Sequence, residues 1–343
     1  MKNKILKYLP FLIAIIILYF LIAPNYEKLI EIYNNSSKKY LFLSFISAFI
    51  SYFFMGLSLY EMLKIFGYKI GFLKTFYITL ITTTVNYFFS SGGASGFALR
   101  THLLYRRKVP ISVSLTTSLV LTAFIYLILG FIVFQSFILY FMEIKKVNTT
   151  ILEGFLGSFF IFLIPFIMSM IIFNHRFRNR WAIRIFYFIN NTLYHITKYY
   201  IPKKDFVEFK NKLNIGIKVL HTKKYELPKV LLYVLCDWIF NILVLYFAFL
   251  AVGVKLSIIN TTVGFSFGMV VSVLPILPSG LGIMEFVISN FYSNLGISFE
   301  ASVFASLVMR FFYYIVPSII SIIVFYGFKI IDEDIAKGGE NAN

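Results

Sequence analysis

The stretch FLKTFYITLITTTVNYFFSSGGASGFALRTHLLYRRKVP, residues 72–110, decides how the rest of the chain is read. Its apolar part, Phe72–Phe89, approaches the ~20 residues that cross a hydrocarbon core. It ends in the serine- and glycine-rich run SSGGASG, after which come Arg100, Arg106, Arg107 and Lys108. Were residues 72–89 a full span, this basic cluster would lie outside. So would segment 176–229, which carries 13 Lys and Arg. Basic residues accumulate on the cytoplasmic side of membrane proteins, so both placements are unfavourable. If the chain instead enters from the cytoplasm and turns back at SSGGASG, every strongly basic segment falls inside. The stretch therefore predicts a re-entrant hairpin.

The surrounding composition places that hairpin in a bilayer. Of 343 residues, 59% are hydrophobic and only 14% charged, against roughly 45–50% and 25% in soluble domains. The apolar residues come in blocks: Leu9–Ala23, Tyr40–Leu59, Ile111–Phe141, Gly154–Phe173, Val230–Val252 and Ala301–Phe325. A helix apolar on every side needs lipid or a large core around it. The net charge of +17 does not point to nucleic acid, because the basic residues flank apolar runs, as orientation signals do. The start, MKNKILKYLPFLIAIIILYFLIAPNY, lacks a small-x-small cleavage site and reads as an uncleaved anchor. The single cysteine, Cys236, supports neither a disulfide framework nor a metal site.

The charge balance treats Asn260–Asn294 the same way, as a hairpin entering from outside and turning at LPILPSGLG. The expected fold is an all-α polytopic membrane protein with six full spans and two Gly/Pro-broken re-entrant hairpins. It forms one transmembrane domain: anchor 1–39, first half 40–141, linking span 142–175, basic segment 176–229, second half 230–328 and tail 329–343. The halves are related. Placing Ser91-Gly92 on Ser279-Gly280 also sets VPISVSLTTSLVLT (109–122) against ISFEASVFASLVMR (297–310), which share Ser-Leu-Val in the same register. Inverted repeats with broken helices mark transporters, whose substrate sites lie where the breaks meet. The competing reading is that the glycines only let helices pack closely.

Ionisable groups inside membrane segments are costly, so each is a candidate for function. Arg100 follows the first glycine turn and Glu285 the second, while Arg310 and Asp237 lie within apolar runs. Asn241 is one helical turn beyond Asp237, and Asn86 precedes the first break. With Ser91, Gly92, Gly93, Ser279, Gly280 and Gly282, these residues make the candidate substrate site. Helix N-termini at the breaks suit a phosphate, an Arg adds a forked donor, and Glu285 or Asp237 suits a cationic headgroup. The plainer reading has Glu285 and Arg310 neutralise each other and hold the bundle together. His102, His175, His195 and His221 have no metal-ligand spacing, and no P-loop or H-E-x-x-H zinc motif occurs. No cofactor is expected. In segment 176–229, Phe206, Phe209, Leu213, Ile217 and Leu220 fall on one helical stripe with lysines on other faces. Such a helix is expected to lie on an anionic membrane surface, and the alternative is a solvated cytoplasmic helical hairpin.

The stretch SSGGASGFALRTHLLYRRKVPISVS, with LPSGLGIMEF and the later GISFEASVFASLVMRFFYY, resembles the membrane region of lysylphosphatidylglycerol synthases and their stand-alone relatives. The resemblance runs from about Tyr40 to Phe328. One departure is Leu121-Thr122, where many relatives carry an acidic residue and an Arg. The resemblance implies a region that moves aminoacylated lipid to the outer leaflet. It does not extend to the cytosolic aminoacyl-transferring domain of the two-domain synthases, so the chain is not expected to catalyse that transfer alone. The expected function is a stand-alone lipid translocase in the plasma membrane of a bacterial-type cell, with cytoplasmic termini. Its partner is a membrane phospholipid, and a separate lipid-modifying enzyme and self-association are further candidates. The alternatives are a membrane subunit of phosphatidylglycerol lysyltransferase and an assembly factor for envelope lipid synthesis. The topology has a direct test. Single cysteines replacing Arg107 and Lys204, in a chain without Cys236, should both resist an impermeant thiol reagent in intact cells. Labelling of one and not the other would rule out the first re-entrant hairpin.

Overall fold

The computed structural model describes residues 2–88, 93–143, 173–197, 200–273 and 277–327, with scattered residues between 156 and 170. Twelve helices organise them: α1 (Lys2–Ile22), α2 (Tyr26–Asn35), α3 (Lys38–Ile65), α4 (Phe72–Phe88), α5 (Ala94–Arg106) and α6 (Ile111–Glu143), then α7 (His175–Thr197), α8 (Lys203–Thr222), α9 (Leu227–Ala251), α10 (Ile258–Val273), α11 (Ile283–Ser293) and α12 (Phe299–Gly327). Five described stretches are long and apolar enough to cross a membrane: Leu12–Asn35, Lys38–Ile65, Ile111–Met142, Lys224–Ala251 and Phe299–Gly327. The chain is an all-α polytopic membrane protein. The span expected over 154–173 lies mostly outside the described residues. Between the long helices stand two helical hairpins, α4–α5 and α10–α11, with limbs of 17, 13, 16 and 11 residues. At ~1.5 Å rise per residue, no limb reaches across a ~30 Å hydrocarbon core.

The second half repeats the first in element order. The helices correspond as α3 to α9, α4 to α10, α5 to α11 and α6 to α12. Their starts, Lys38 and Leu227, Phe72 and Ile258, Ala94 and Ile283, and Ile111 and Phe299, keep a nearly constant spacing. The paired helices α3 and α9 pack on each other in opposite directions. Ser37 N–H donates to Ala251 O at 2.8 Å, Ser44 Oγ to Val244 O at 2.8 Å and Ser51 Oγ to Asp237 O at 3.1 Å. Numbers rise along one helix as they fall along the other, as an inverted repeat requires. Ser44, Ser47, Ser51 and Ser58 form a buried stripe of small side chains on α3, which lets the two backbones approach.

Two cross-repeat bonds echo the same symmetry. Trp238 Nε1 on α9 donates to Ile125 O on α6 at 3.2 Å, and Tyr52 Oη on α3 donates to Tyr313 O on α12 at 3.0 Å. Ile125 and Tyr313 are equivalent positions in the register that places Ser91 on Ser279.

Segment 176–229 departs from expectation. Leu213, Ile217 and Leu220 of the α8 stripe are buried in the protein core rather than turned to lipid. The reason is Gly216: a Cβ there would lie 1.9 Å from Thr116 Oγ1 and 3.0 Å from Ser112 O. Without a side chain at that point, α8 lies directly on the first turns of α6.

Helix ends repeat as well. α3 stops at Gly67 (φ +84°) and α9 at Gly253 (φ +77°), each followed by a backbone bond back into the last turn: Tyr68 N–H to Leu63 O and Val254 N–H to Phe249 O, both 3.0 Å. α11 ends likewise at Gly296 (φ +81°), but its counterpart on α5 is Lys108 (φ +61°). The left-handed region costs a non-glycine residue roughly 1–2 kcal/mol. Lys108→Gly should therefore raise the thermal stability of the detergent-purified protein by about 1 kcal/mol, and Gly296→Lys should lower it by a similar amount. Opposite signs in a melting assay would check that the two caps are equivalent.

Candidate functional site

The second break is the better-defined half of the site. Its backbone turns through Ser279 (φ +47°), Gly280 (φ +61°) and Gly282 (φ +84°). A Cβ at Gly280 would sit 2.9 Å from Ser272 Cα, and one at Gly282 would sit 2.7 Å from Ile17 Cγ2. These glycines thus serve close backbone approach as well as the turn, and α1 seals the break from one side. Glu285 then closes the first turn of α11, its Oε2 accepting from the Gly282 N–H at 2.8 Å. Its other oxygen, Oε1, accepts a short hydrogen bond from Arg310 Nε. Arg310 Nη1 also donates to Ser279 O at 3.2 Å, and the guanidinium lies 4.7 Å from the Tyr314 ring centroid. Glu285 is 1% exposed and Arg310 5%. Two charges this deep persist because each satisfies the other. The pair therefore fastens the break to α12.

The first break is built differently. Ser91 and Gly92 lie outside the described residues. Gly93 (φ +90°) opens α5, and a Cβ there would meet Tyr126 Oη at 2.9 Å. Asn86 is engaged within its own hairpin: Oδ1 accepts from Gly96 N–H at 2.7 Å and from Ser95 Oγ at 3.1 Å. It clips α4 to α5. Arg100 follows on α5, only 3% exposed, and its Nε and Nη1 have no hydrogen-bond partner among the described residues. A buried guanidinium in this state requires an anion or water to complete it.

The two breaks meet. Ser279 Oγ in the second donates to Tyr87 O, just before the first, at 2.9 Å. Around that junction is a cluster of tyrosines. The Tyr87 ring is 4.5 Å from Tyr314 and 6.2 Å from Tyr313, and Tyr313 is 5.2 Å from Tyr52. Tyr313 and Tyr314 belong to a π-helical turn, Phe311–Ile315, directly after Arg310. Such turns displace backbone groups and often mark functional positions. Beside Tyr52, Ser51 Oγ donates a short hydrogen bond to Asp237 Oδ1. Asp237 is 1% exposed; Asn241, one turn on, is wholly buried, with neither amide atom partnered among the described residues.

The candidate residues thus divide into three neighbouring groups. Glu285, Arg310, Ser279, Gly280 and Gly282 stand at the junction itself. Gly93, Asn86 and Arg100 belong to the first hairpin, and Asp237 and Asn241 to the α3–α9 seam. Direct pairing joins Glu285 to Arg310, while no described ion pair joins Arg100 to Glu285 or Asp237. Sequence reading missed Tyr52, Tyr87, Tyr313, Tyr314 and Ser51. A signal existed: Tyr126 and Tyr314 fall on each other in the register that aligns the two glycine turns, so each repeat sets a tyrosine beside a break.

Comparison with known proteins follows this architecture. The model of the lysylphosphatidylglycerol synthase TM region matches residues 8–321. A UPF0104 membrane protein of Methanocaldococcus jannaschii is 24% identical over 94% of both chains. Two UPF0104 membrane proteins of Methanothermobacter thermautotrophicus match shorter segments. One is 35% identical over 26% of each chain, the other 29% identical over 30% of this chain and 29% of the relative. For those two, the match spans little more than a quarter of the relative's length. With a family match running through both hairpins and the junction between them, the chain belongs to the family of the lysylphosphatidylglycerol synthase transmembrane region.

Proposed function

We propose that the protein is a stand-alone lipid translocase, moving an anionic or aminoacylated phospholipid or a lipid-linked headgroup across the plasma membrane, with both termini in the cytoplasm. The observation that carries this reading is the junction of the two broken hairpins, where Ser279 Oγ bonds Tyr87 O at 2.9 Å amid buried charge. Irregular backbone at membrane depth is tolerated only when buried in protein or lining a cavity. Broken helices at the interface of inverted repeats are where transporters bind their substrates.

In this mechanism the phosphate is received by Arg100, whose Nε and Nη1 have no partner among the described residues, with the two glycine turns bringing backbone close to it. Arg310, held at rest by Glu285, takes the phosphate in exchange as the hairpins part. Asp237 and Asn241 receive the positive end of a zwitterionic headgroup. The two halves rock against each other on the α3–α9 seam, and no step needs a cofactor. A second reading is favoured by the family's description, which names a synthase: the chain could serve as the membrane partner of a separate aminoacyl-transferring enzyme. Purified protein given lysyl-transfer RNA and phosphatidylglycerol should form no aminoacylated lipid, and product above the transfer-RNA control would displace the translocase reading.

The charged groups give a sharper test in liposomes. Arg100→Gln should abolish translocation of a fluorescent anionic phospholipid while leaving the melting temperature near that of the parent. Glu285→Gln and Arg310→Gln should each lose several kcal/mol of stability, about 3–5, because a buried charge is left uncompensated. The double variant should recover most of that stability and remain inactive. Recovery of transport in the double variant would show that the pair serves architecture alone and that substrate binds elsewhere.

A further inference from the structure

We propose that the outward face of α7 rests on the bilayer surface and binds anionic lipid headgroups. This inference is independent of which lipid the protein moves. Between His175 and Lys204 the sequence has 7 Lys and Arg and no Asp or Glu. At 100° per residue, the inward side of α7 is defined by Arg178, Phe186 and Asn190, all buried. Phe186 stacks on Phe206 of α8 at 4.2 Å, Arg178 Nε donates to Asn214 Oδ1 at 2.7 Å, and Asn190 clasps the backbone of Ile201 through both amide atoms. These contacts fix the rotation of α7 about its axis.

The opposite side carries Phe177, Trp181 and Phe188, all exposed, with Phe188 73% accessible, and Ile183, Tyr187 and Tyr194 stand exposed on its flank. Arg180, Arg184 and His195 stand exposed between them, and the Arg184 guanidinium lies 5.6 Å from the Trp181 ring centroid. Aromatic side chains interleaved with Arg, on a helix too polar to span, suit the boundary between headgroups and acyl chains. The absence of acidic side chains over the whole segment complements a negative surface.

The depth at which α7 stands agrees. It is held on α8, which in turn lies on Ser112 and Thr116 in the first turns of α6. α6 has 33 residues, about 50 Å at 1.5 Å per residue, well beyond a ~30 Å hydrocarbon core. An overhang of that length at its first turns would set them, and α7 with them, in the headgroup region. Of the stripe expected on α8, Leu213, Ile217 and Leu220 turned inward while Phe209 stays exposed, and the larger exposed aromatic surface belongs to its neighbour.

The chain has 2 tryptophans, so a Trp238→Phe variant leaves Trp181 as the single reporter. In vesicles containing phosphatidylglycerol, Trp181 emission should shift to the blue and be quenched by lipids brominated near the headgroup. Arg180→Gln with Arg184→Gln should remove most of that quenching, as should vesicles of phosphatidylcholine alone. Should Trp238→Phe fail to fold, an environment-sensitive dye on Phe188→Cys in a Cys236→Ser chain reads the same surface. A fully hydrated reporter in both vesicle types would overturn the proposal, and equal burial in neutral and anionic vesicles would overturn its headgroup recognition.

Discussion

A chain that breaks its helices inside a bilayer must satisfy the freed backbone groups from within the protein, because hydrocarbon supplies no hydrogen bonds. Much of this structure follows from meeting that demand at two places. At the second break Glu285 takes the Gly282 N–H and Arg310 takes the Ser279 carbonyl, so one buried ion pair satisfies both sides of the turn. At the first break the Asn86 side chain takes the Gly96 N–H. The breaks then satisfy each other through Ser279 and Tyr87. A carboxylate, an amide and a serine hydroxyl do what water would do for a soluble loop.

The two halves solve the problem with unequal means. Arg310 in the second half has an acid, a carbonyl and an aromatic face around it. Arg100 in the first has a buried guanidinium with two unpartnered nitrogens among the described residues. One cation is consumed by the fold, and the other keeps unfilled hydrogen-bonding capacity among the described residues. The α3–α9 seam shows the same contrast over one helical turn: Asp237 is bound to Ser51, while Asn241 has no partner for its amide among the described residues. A site that receives a polar headgroup needs such unfilled capacity, since a fully satisfied interior has nothing to offer a ligand.

Single-sequence reading reaches far into this protein, and for identifiable reasons. Membrane spans are legible because length and apolar character are one-dimensional properties. The repeat is legible because one register joins the glycine turns to a shared Ser-Leu-Val. The buried charges of Arg100, Asp237, Glu285 and Arg310 stand out because nothing else in an apolar run is costly. What fails is partner assignment. The stripe Leu213, Ile217 and Leu220 reads as lipid-facing, but an apolar stripe looks the same whether it meets acyl chains or α6. Packing decides between them, and the missing side chain at Gly216 lets α8 lie directly on α6.

The sequence by itself determined the solvent of this protein, its inverted halves and the candidate ionisable residues, since each follows from composition or spacing along the chain. Pairing of Glu285 with Arg310 was one of two readings the sequence left open, and tertiary structure decided for it. A helix end and a loop separate the two residues along the chain, so spacing could suggest the pair but not choose it over a substrate role. Tertiary structure also decided that Tyr52, Tyr87, Tyr313 and Tyr314 gather at the junction, because a tyrosine's role depends on what surrounds its ring and hydroxyl. Those surroundings come from helices that the chain order keeps apart and only packing brings together.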